Sequence, residues 1–502
     1  MESAPPATAS RRAVLTAALT LVVGLDIALL TWLRITSSPG PLELAAQLLL
    51  AATFAALALL DLRVAAAIAV LELVVGGASG KWTDFLYGLN GRPVLDGILF
   101  IVSVAVLVRE LGPRGIAFGR YTLHGLVVAV ALAAWIPFGI SNGNTVYNAF
   151  ADGNGFHFFA FGVVLAALAL RGDLGWLRRW LFIACVINAV VTVLLATIAL
   201  SGAVALEPLN QVLIGRLEMG GTVSYDTGGA FRLYLGSGLF LQVGVVLVIW
   251  AVMRQPKRLW PWALLGLFGL ALLLTFTRGY WIGAAVGLTV AVAFGVQSVR
   301  QAIAAASFAL LLLVAAAVVA SNSGASLPAM IWDRVVSIVA TEDPDAQGHL
   351  PGGANSGISS NAVKIAQARV LLGHIAERPV FGWGFGTIAP DYPYGQTYSY
   401  ELSYLDLAYK TGLVGLLLFL SYPLRLLVDA LRARFGRLAL PPGVHRREVA
   451  VPIAVICSVM VLWATNPYLG AAFGQAPIVL SIAWLDPFTR RGGEQLSESE
   501  AR

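Results

Sequence analysis

Runs of apolar residues, broken by short stretches marked with arginine, proline or glycine, recur from Ala13 to about Leu485. A hydrocarbon core about 30 Å thick needs roughly 20 apolar residues per helix. The pattern therefore predicts membrane-crossing helices near 13–35, 41–61, 63–79, 95–111, 121–140, 156–171, 179–203, 231–253, 259–276, 279–297, 301–321, 404–426, 448–466 and 470–486. Stretches such as "AIAAASFALLLLVAAAVVA" lack the two-residue alternation of a barrel strand, so their backbone groups must be satisfied within helices. The expected fold is all-α: a polytopic integral membrane protein of about 14 transmembrane helices, with a large outer loop before the twelfth.

That loop, 322–403, is long enough to hold a helix of its own. In "NAVKIAQARVLLGHIAERP" apolar positions recur at helical spacing and Pro379 ends the pattern. No repeat or second soluble domain interrupts the chain, so 1–502 reads as a single integral membrane domain with a cytoplasmic tail at 487–502.

Composition agrees: 58% of residues are hydrophobic and 12% charged, with a mean hydropathy of +0.80, well outside the range of soluble domains. The net charge of +6 is mostly a topology signal. With a cytoplasmic N-terminus, alternate loops gather most of the 33 basic residues on one side, the side that the positive-inside rule assigns to the cytoplasm. Both termini then lie in the cytoplasm, and nucleic acid is not implied as a partner. The N-terminal basic flank resembles that of a signal peptide, but its apolar run is too long, which favours a retained first helix. The two cysteines, Cys185 and Cys457, sit inside apolar runs, which excludes a disulfide framework or a thiolate zinc site.

The basic residues left on the outer side are Arg34, Lys81, Arg92, Arg216, Arg232, Arg278, Arg334, Lys364, Arg369, Arg378 and Lys410. They need headgroups or functional partners there. Arg278 falls at the turn of "TFTRGYW", midway along an apolar run twice the length of one span. Snorkelling to a headgroup phosphate is the competing explanation. Arg216 and Arg232 precede or open another span. Several arginines near one interface suit a diphosphate, because each planar fork donates paired hydrogen bonds to phosphate oxygens.

The late loop contains "ERPVFGWGFG", in which Gly382, Gly384 and Gly386 alternate with Trp383 and Phe385. Such spacing allows a tight backbone path beside bulky rings, and without a third glycine at the right offset or a βαβ context it is no dinucleotide fingerprint. Trp383, Tyr400 and Tyr404 are candidate glycan-contacting rings, although an interfacial aromatic belt also accounts for such residues. Glu401, Asp406 and Lys410 follow across a helix boundary. Asp406 and Lys410 stand at i, i+4 and read as a self-neutralising pair, while Glu401 and Tyr404 would share a face at i, i+3. The D-x-D of Asp343 and Asp345, with His349, lies in a Gly/Pro-rich loop where that spacing arises by chance, so no metal site is expected. Asp26 and Glu72 are acidic groups inside spans whose roles stay open.

The order of these elements, with "TRGYWIGAAVG", the P-x-F-G-x-G-F-G block and "ELSYLDLAYKTGLVGLLLFL", resembles the O-antigen ligase and O-antigen polymerase superfamily of bacterial envelope glycosyltransferases. The likeness covers roughly 215–420. It implies transfer of a glycan from a polyprenyl diphosphate to an acceptor hydroxyl on the outer face of the bacterial cytoplasmic membrane, by a metal-independent inverting enzyme with no cofactor. It also implies that Arg278 and Arg232, or Arg216, hold the diphosphate, with Lys364 as a further cation. Ligases of the family carry His-Asn where this chain has Glu401-Leu402; Glu401 resembles polymerase-like members and becomes the candidate general base. Polysaccharide polymerisation is the leading expectation, ligation to a lipid or other envelope acceptor the alternative. The implied partners are a polyprenyl-diphosphate-linked glycan and membrane lipids, with envelope-assembly proteins as candidates. A transporter or flippase for a polar or lipid-linked solute is the rival of another class, but it predicts midplane charges in two matching halves, which the sequence does not display.

Overall fold

A computed structural model describes residues 6–36, 40–76, 91–111, 119–172, 174–201, 204–216, 222–225, 231–275, 277–295, 360–392, 399–438, 440 and 443–485. The expected 301–321 span, the D-x-D loop, Arg334 and the 487–502 tail lie outside these residues. Each of the other expected spans is helical over most of its described residues. Among the described residues, eight helices are long and apolar enough to cross a membrane, including Val146–Leu170, Gly236–Arg254, Arg278–Gly295 and Ser403–Arg434. Shorter apolar helices occupy Leu259–Thr275, Ala450–Trp463 and Ala472–Trp484. The protein is an all-α polytopic membrane protein, as its apolar runs require.

One boundary differs. The span expected to begin at 231 begins instead beyond a short antiparallel hairpin, in which Thr222–Tyr225 pairs with Phe231–Tyr234 and Ser224 stands opposite Arg232. The helix proper starts at Leu239. "FRLY" is apolar enough to pass for helix, yet its β-branched and aromatic partners across the hairpin favour a strand.

Burial orders the bundle. The Gly236–Arg254 segment is 89% buried, whereas Arg11–Thr36 is 17% buried and lies at the periphery. The central helix packs closely because small residues admit its neighbours: Gly244 lies under the Phe268 ring, and Gly287 against Val246 and Ser458. Ser458 also donates to the Gly283 carbonyl at 2.7 Å, pinning Ala450–Trp463 to Arg278–Gly295. One end of the bundle is tied by arginines: Arg254 pairs with Glu448 at 2.6 Å, and Arg434 donates to the Phe294 carbonyl at 2.8 Å. The opposite end carries the hairpin, the Arg278 turn and the late loop.

Candidate functional site

At that opposite end the Ser403–Arg434 helix is broken at Gly412, with φ 66° and ψ −174°. A break leaves carbonyls and amides that a continuous helix would pair internally, and the preceding loop takes them up. Trp383 and Gly384 N–H donate to the Tyr409 and Lys410 carbonyls at 3.1 and 2.7 Å. Leu413 and Val414 N–H donate to the Pro379 and Val380 carbonyls at 2.8 and 3.2 Å. A side chain at Gly412 would collide with the Val380 carbonyl, and Gly384, with φ 91°, lies directly on the Gly139 backbone. The glycine pattern thus supplies the close backbone path that its spacing suggests.

The other wall of this clamp comes from the N-terminal half, which the sequence showed only as hydropathy. Trp135 Nε1 donates to the Phe381 carbonyl at 2.8 Å, Asn142 Nδ2 to that of Trp383 at 3.0 Å, and Asn144 Nδ2 to that of Phe385 at 3.0 Å. Asp152 completes it. Its Oδ2 accepts the Gly386 N–H at 2.9 Å, and its Oδ1 lies 2.7 Å from Lys410 Nζ. Asp406 Oδ1 is also 2.7 Å from Lys410 Nζ. The expected Asp406–Lys410 pair is therefore a buried triad, with the Lys410 side chain only 1% exposed.

Glu401 differs in environment. It precedes the helix, which starts at Ser403, so the shared face expected with Tyr404 does not form. Its N–H donates to Gln367 Oε1 at 3.0 Å, and Gln367 Nε2 donates to the Tyr392 hydroxyl at 3.0 Å. Gln367 is buried on the expected loop helix, Ser360–Glu377. The Glu401 carboxylate lies 3.4 Å from Lys364 Nζ, with the two side chains 43% and 23% exposed. So open a pair contributes only about 0–1 kcal/mol to stability, yet both groups can meet a ligand. The structure thus brings together two of the residues singled out from the sequence.

Farther along the loop helix, His374 Nε2 donates to Asp391 Oδ1 at 2.7 Å, and Nδ1 faces Glu377 at 3.5 Å. Burial lowers the imidazole's proton affinity, but the hydrogen bonds and charges of Asp391 and Glu377 outweigh it and raise the pKa above 6.5.

The arginine-bearing elements converge through a tyrosine. Arg278 opens the Arg278–Gly295 helix and is half-buried. Two residues on, the Tyr280 hydroxyl donates to the Leu235 carbonyl at 2.6 Å, stitching this helix to the end of the strand that carries Arg232. Arg216 ends the turn Gln211–Arg216. Tyr234, Tyr280 and Tyr468 stack with ring centroids 6.1–6.3 Å apart and nearly parallel planes.

The candidate glycan platforms fare differently. Tyr400 is fully buried, its hydroxyl accepts the Ala389 N–H at 2.7 Å, and Tyr392 and Tyr409 meet its ring edge-on. It has no face for a sugar: an aromatic residue in a polar stretch proves to be the core of the loop. Trp383 carries the Arg378 guanidinium 3.9 Å over its ring and donates from Nε1 to the His374 carbonyl at 3.0 Å. Tyr404 is half-buried and donates to the Met460 carbonyl at 2.7 Å. Among the described residues no three His, Cys, Asp or Glu side chains gather as a metal site.

A family model described as O-antigen ligase matches residues 263–420. That segment runs from the helix before Arg278 through the glycine loop, Glu401 and the broken helix. No curated protein matches the chain. Over that segment, set on this membrane-spanning scaffold, the chain is similar to the O-antigen ligase family, which supports a glycosyltransferase-like function in the membrane.

Proposed function

We propose that the protein moves a glycan from a polyprenyl diphosphate to an acceptor hydroxyl at the outer face of the bacterial cytoplasmic membrane, extending a polysaccharide. The observation that carries this reading is the accessible Glu401–Lys364 pair, set beside the clamped loop at the bundle end that also bears Arg278. Glu401 takes the proton of the acceptor hydroxyl, whose oxygen forms the new bond to the anomeric carbon. The bond from that carbon to the phosphate oxygen breaks with inversion, and polyprenyl diphosphate leaves with the electron pair. Arg278, with Arg232 or Arg216, stabilises the charge on the leaving diphosphate. Lys364 balances the Glu401 carboxylate at rest and is the further candidate cation for the diphosphate. Tyr404 and Trp383 remain the candidate sugar contacts, and no such role is proposed for buried Tyr400.

Ligation to a different acceptor is the second reading, favoured by the description of the matching family model; Glu401 in place of the ligase histidine favours polymerisation. Both use the same elementary step and differ in product. The test is purified protein in liposomes, supplied with the undecaprenyl-diphosphate glycan pool extracted from the source cells. Lengthened chains on the donor support polymerisation, and transfer to an added lipid acceptor supports ligation. Glu401→Gln should lower the rate about 10²- to 10⁴-fold. Wild-type transfer by both Glu401→Gln and Arg278→Ala would remove this site, and labelling that placed 360–403 in the cytoplasm would remove the reading itself.

A further inference from the structure

Asn466, Pro467 and Tyr468 join the Ala450–Trp463 and Ala472–Trp484 helices, beyond the family-matched segment. They touch both arms of the candidate site. On the acidic arm, Ser403, two residues after Glu401, donates its N–H to the Glu401 carbonyl at 3.0 Å and its hydroxyl to the Asn466 carbonyl. On the basic arm, the Asn466 side chain lies against Gly279, where a Cβ would collide with Nδ2. The hydroxyls of Tyr468 and Tyr280 are hydrogen-bonded to each other. Gly279 and Tyr280 directly follow Arg278.

These contacts sit in a rigid setting. Asn466, Tyr468, Tyr280 and Ser403 are all buried. Tyr280 passes the constraint on to Leu235, beyond the Arg232 strand. Gln475 Nε2 holds the Leu469 carbonyl at 2.9 Å, fixing the connector from its far side. The connector therefore ties the segment that carries Glu401 to the helix that Arg278 opens through buried contacts on both.

We propose that the Asn466–Tyr468 connector is a positioning element, setting the separation of the Glu401 carboxylate from the Arg278 guanidinium so that the acceptor hydroxyl and the leaving diphosphate are held in line. This rests on the transfer reading given above. None of the three residues need touch substrate. The expected signature is a loss in the chemical step with donor binding retained, because misplacement of reacting groups by about 1 Å costs up to about 100-fold in rate.

The experiment compares Ser403→Ala, which removes the hydroxyl to Asn466, and Tyr468→Phe, which removes the hydroxyl shared with Tyr280 and Tyr234, with the wild type. Initial rates are measured at limiting and saturating levels of the extracted undecaprenyl-diphosphate glycan pool. Binding of farnesyl diphosphate, a donor-site probe with no sugar to transfer, is measured in parallel with thermal unfolding. The proposal expects kcat to fall about 10- to 100-fold, with donor KM and farnesyl diphosphate affinity within about 3-fold of wild type and unfolding nearly unchanged. Ser403→Thr, which restores the hydroxyl, should recover most of the rate. Wild-type kcat in both variants overturns it, as does a parallel loss of rate, probe binding and thermal stability, the mark of a merely structural role. Glu401→Gln and Arg278→Ala run alongside keep the two ideas separable: if they are inactive while the connector variants are normal, only the positioning proposal fails, and if they are fully active, the transfer site itself is wrong.

Discussion

Removing one member of the Asp152–Lys410–Asp406 triad should unfold the late loop from the bundle. Each carboxylate lies 2.7 Å from Lys410 Nζ, a gross attraction of roughly 6 kcal/mol per contact at an effective dielectric of about 20. Desolvation of three charges offsets most of this, so the net worth of the intact cluster is small. Breaking it is another matter, because the partner left behind stays buried. Asp152→Ala removes one of the two countercharges of Lys410 and also orphans the buried Gly386 N–H, a further ~1–3 kcal/mol. We expect a total loss of about 3–5 kcal/mol. Lys410→Met strands two carboxylates and should cost at least as much. Since both substitutions break the same contact, the double variant should lose about 2 kcal/mol less than the sum of the two. The measurement is a denaturant titration of the four proteins in mild detergent, read by tryptophan fluorescence. Additivity within about 0.5 kcal/mol, or a neutral Asp152→Ala, would refute the view that Asp152 anchors the loop through Lys410.

Two further outcomes follow from the same region. His374 has a raised folded-state pKa, so its bond to Asp391 stabilises the loop helix fully below the unfolded value near 6.5 and progressively less as pH rises through the folded value; amide protection factors across 360–377, corrected for the intrinsic pH dependence of exchange, should be higher at pH 5.5 than at pH 8.5, and Asp391→Asn should shrink the difference. Gly412→Ala places a side chain at φ 66° against the Val380 carbonyl. It should cost at least about 2 kcal/mol, seen as a lowered melting temperature, whereas Gly373→Ala, with open space around it on the loop helix, should be neutral or slightly stabilising.

What the sequence made legible was set by the range of each signal. Helices announced themselves because twenty apolar residues in a row carry their own explanation, and the loop helix because Pro379 closes a 3.6-residue pattern. The Asp406–Lys410 pair was visible at i, i+4, but Asp152, 258 residues from Lys410, was not, since nothing local marks an aspartate that will meet a lysine across the bundle. Gln367 reads as an ordinary polar helix position until its two amide atoms are seen holding Glu401 and Tyr392. Tyr400 shows the converse failure: its polar neighbours suggested a surface ring, while the hydroxyl's bond to Ala389 and three-tyrosine packing put it inside. At the site, residue types were readable and contacts were not. Glu401 and Lys364 were each picked out separately, and only the fold pairs them.

The exchange of backbone hydrogen bonds between the glycine loop and the broken helix has a consequence for how such proteins can be recombined. Four amides and four carbonyls, drawn from 379–384 and 409–414, complete each other across two stretches that neither could leave unpaired near lipid. The two stretches are therefore a single unit of inheritance. A chimaera that takes the loop from one relative and the helix from another must splice outside both, carrying Gly386, Tyr400 and Asp406 along with the pairing they support.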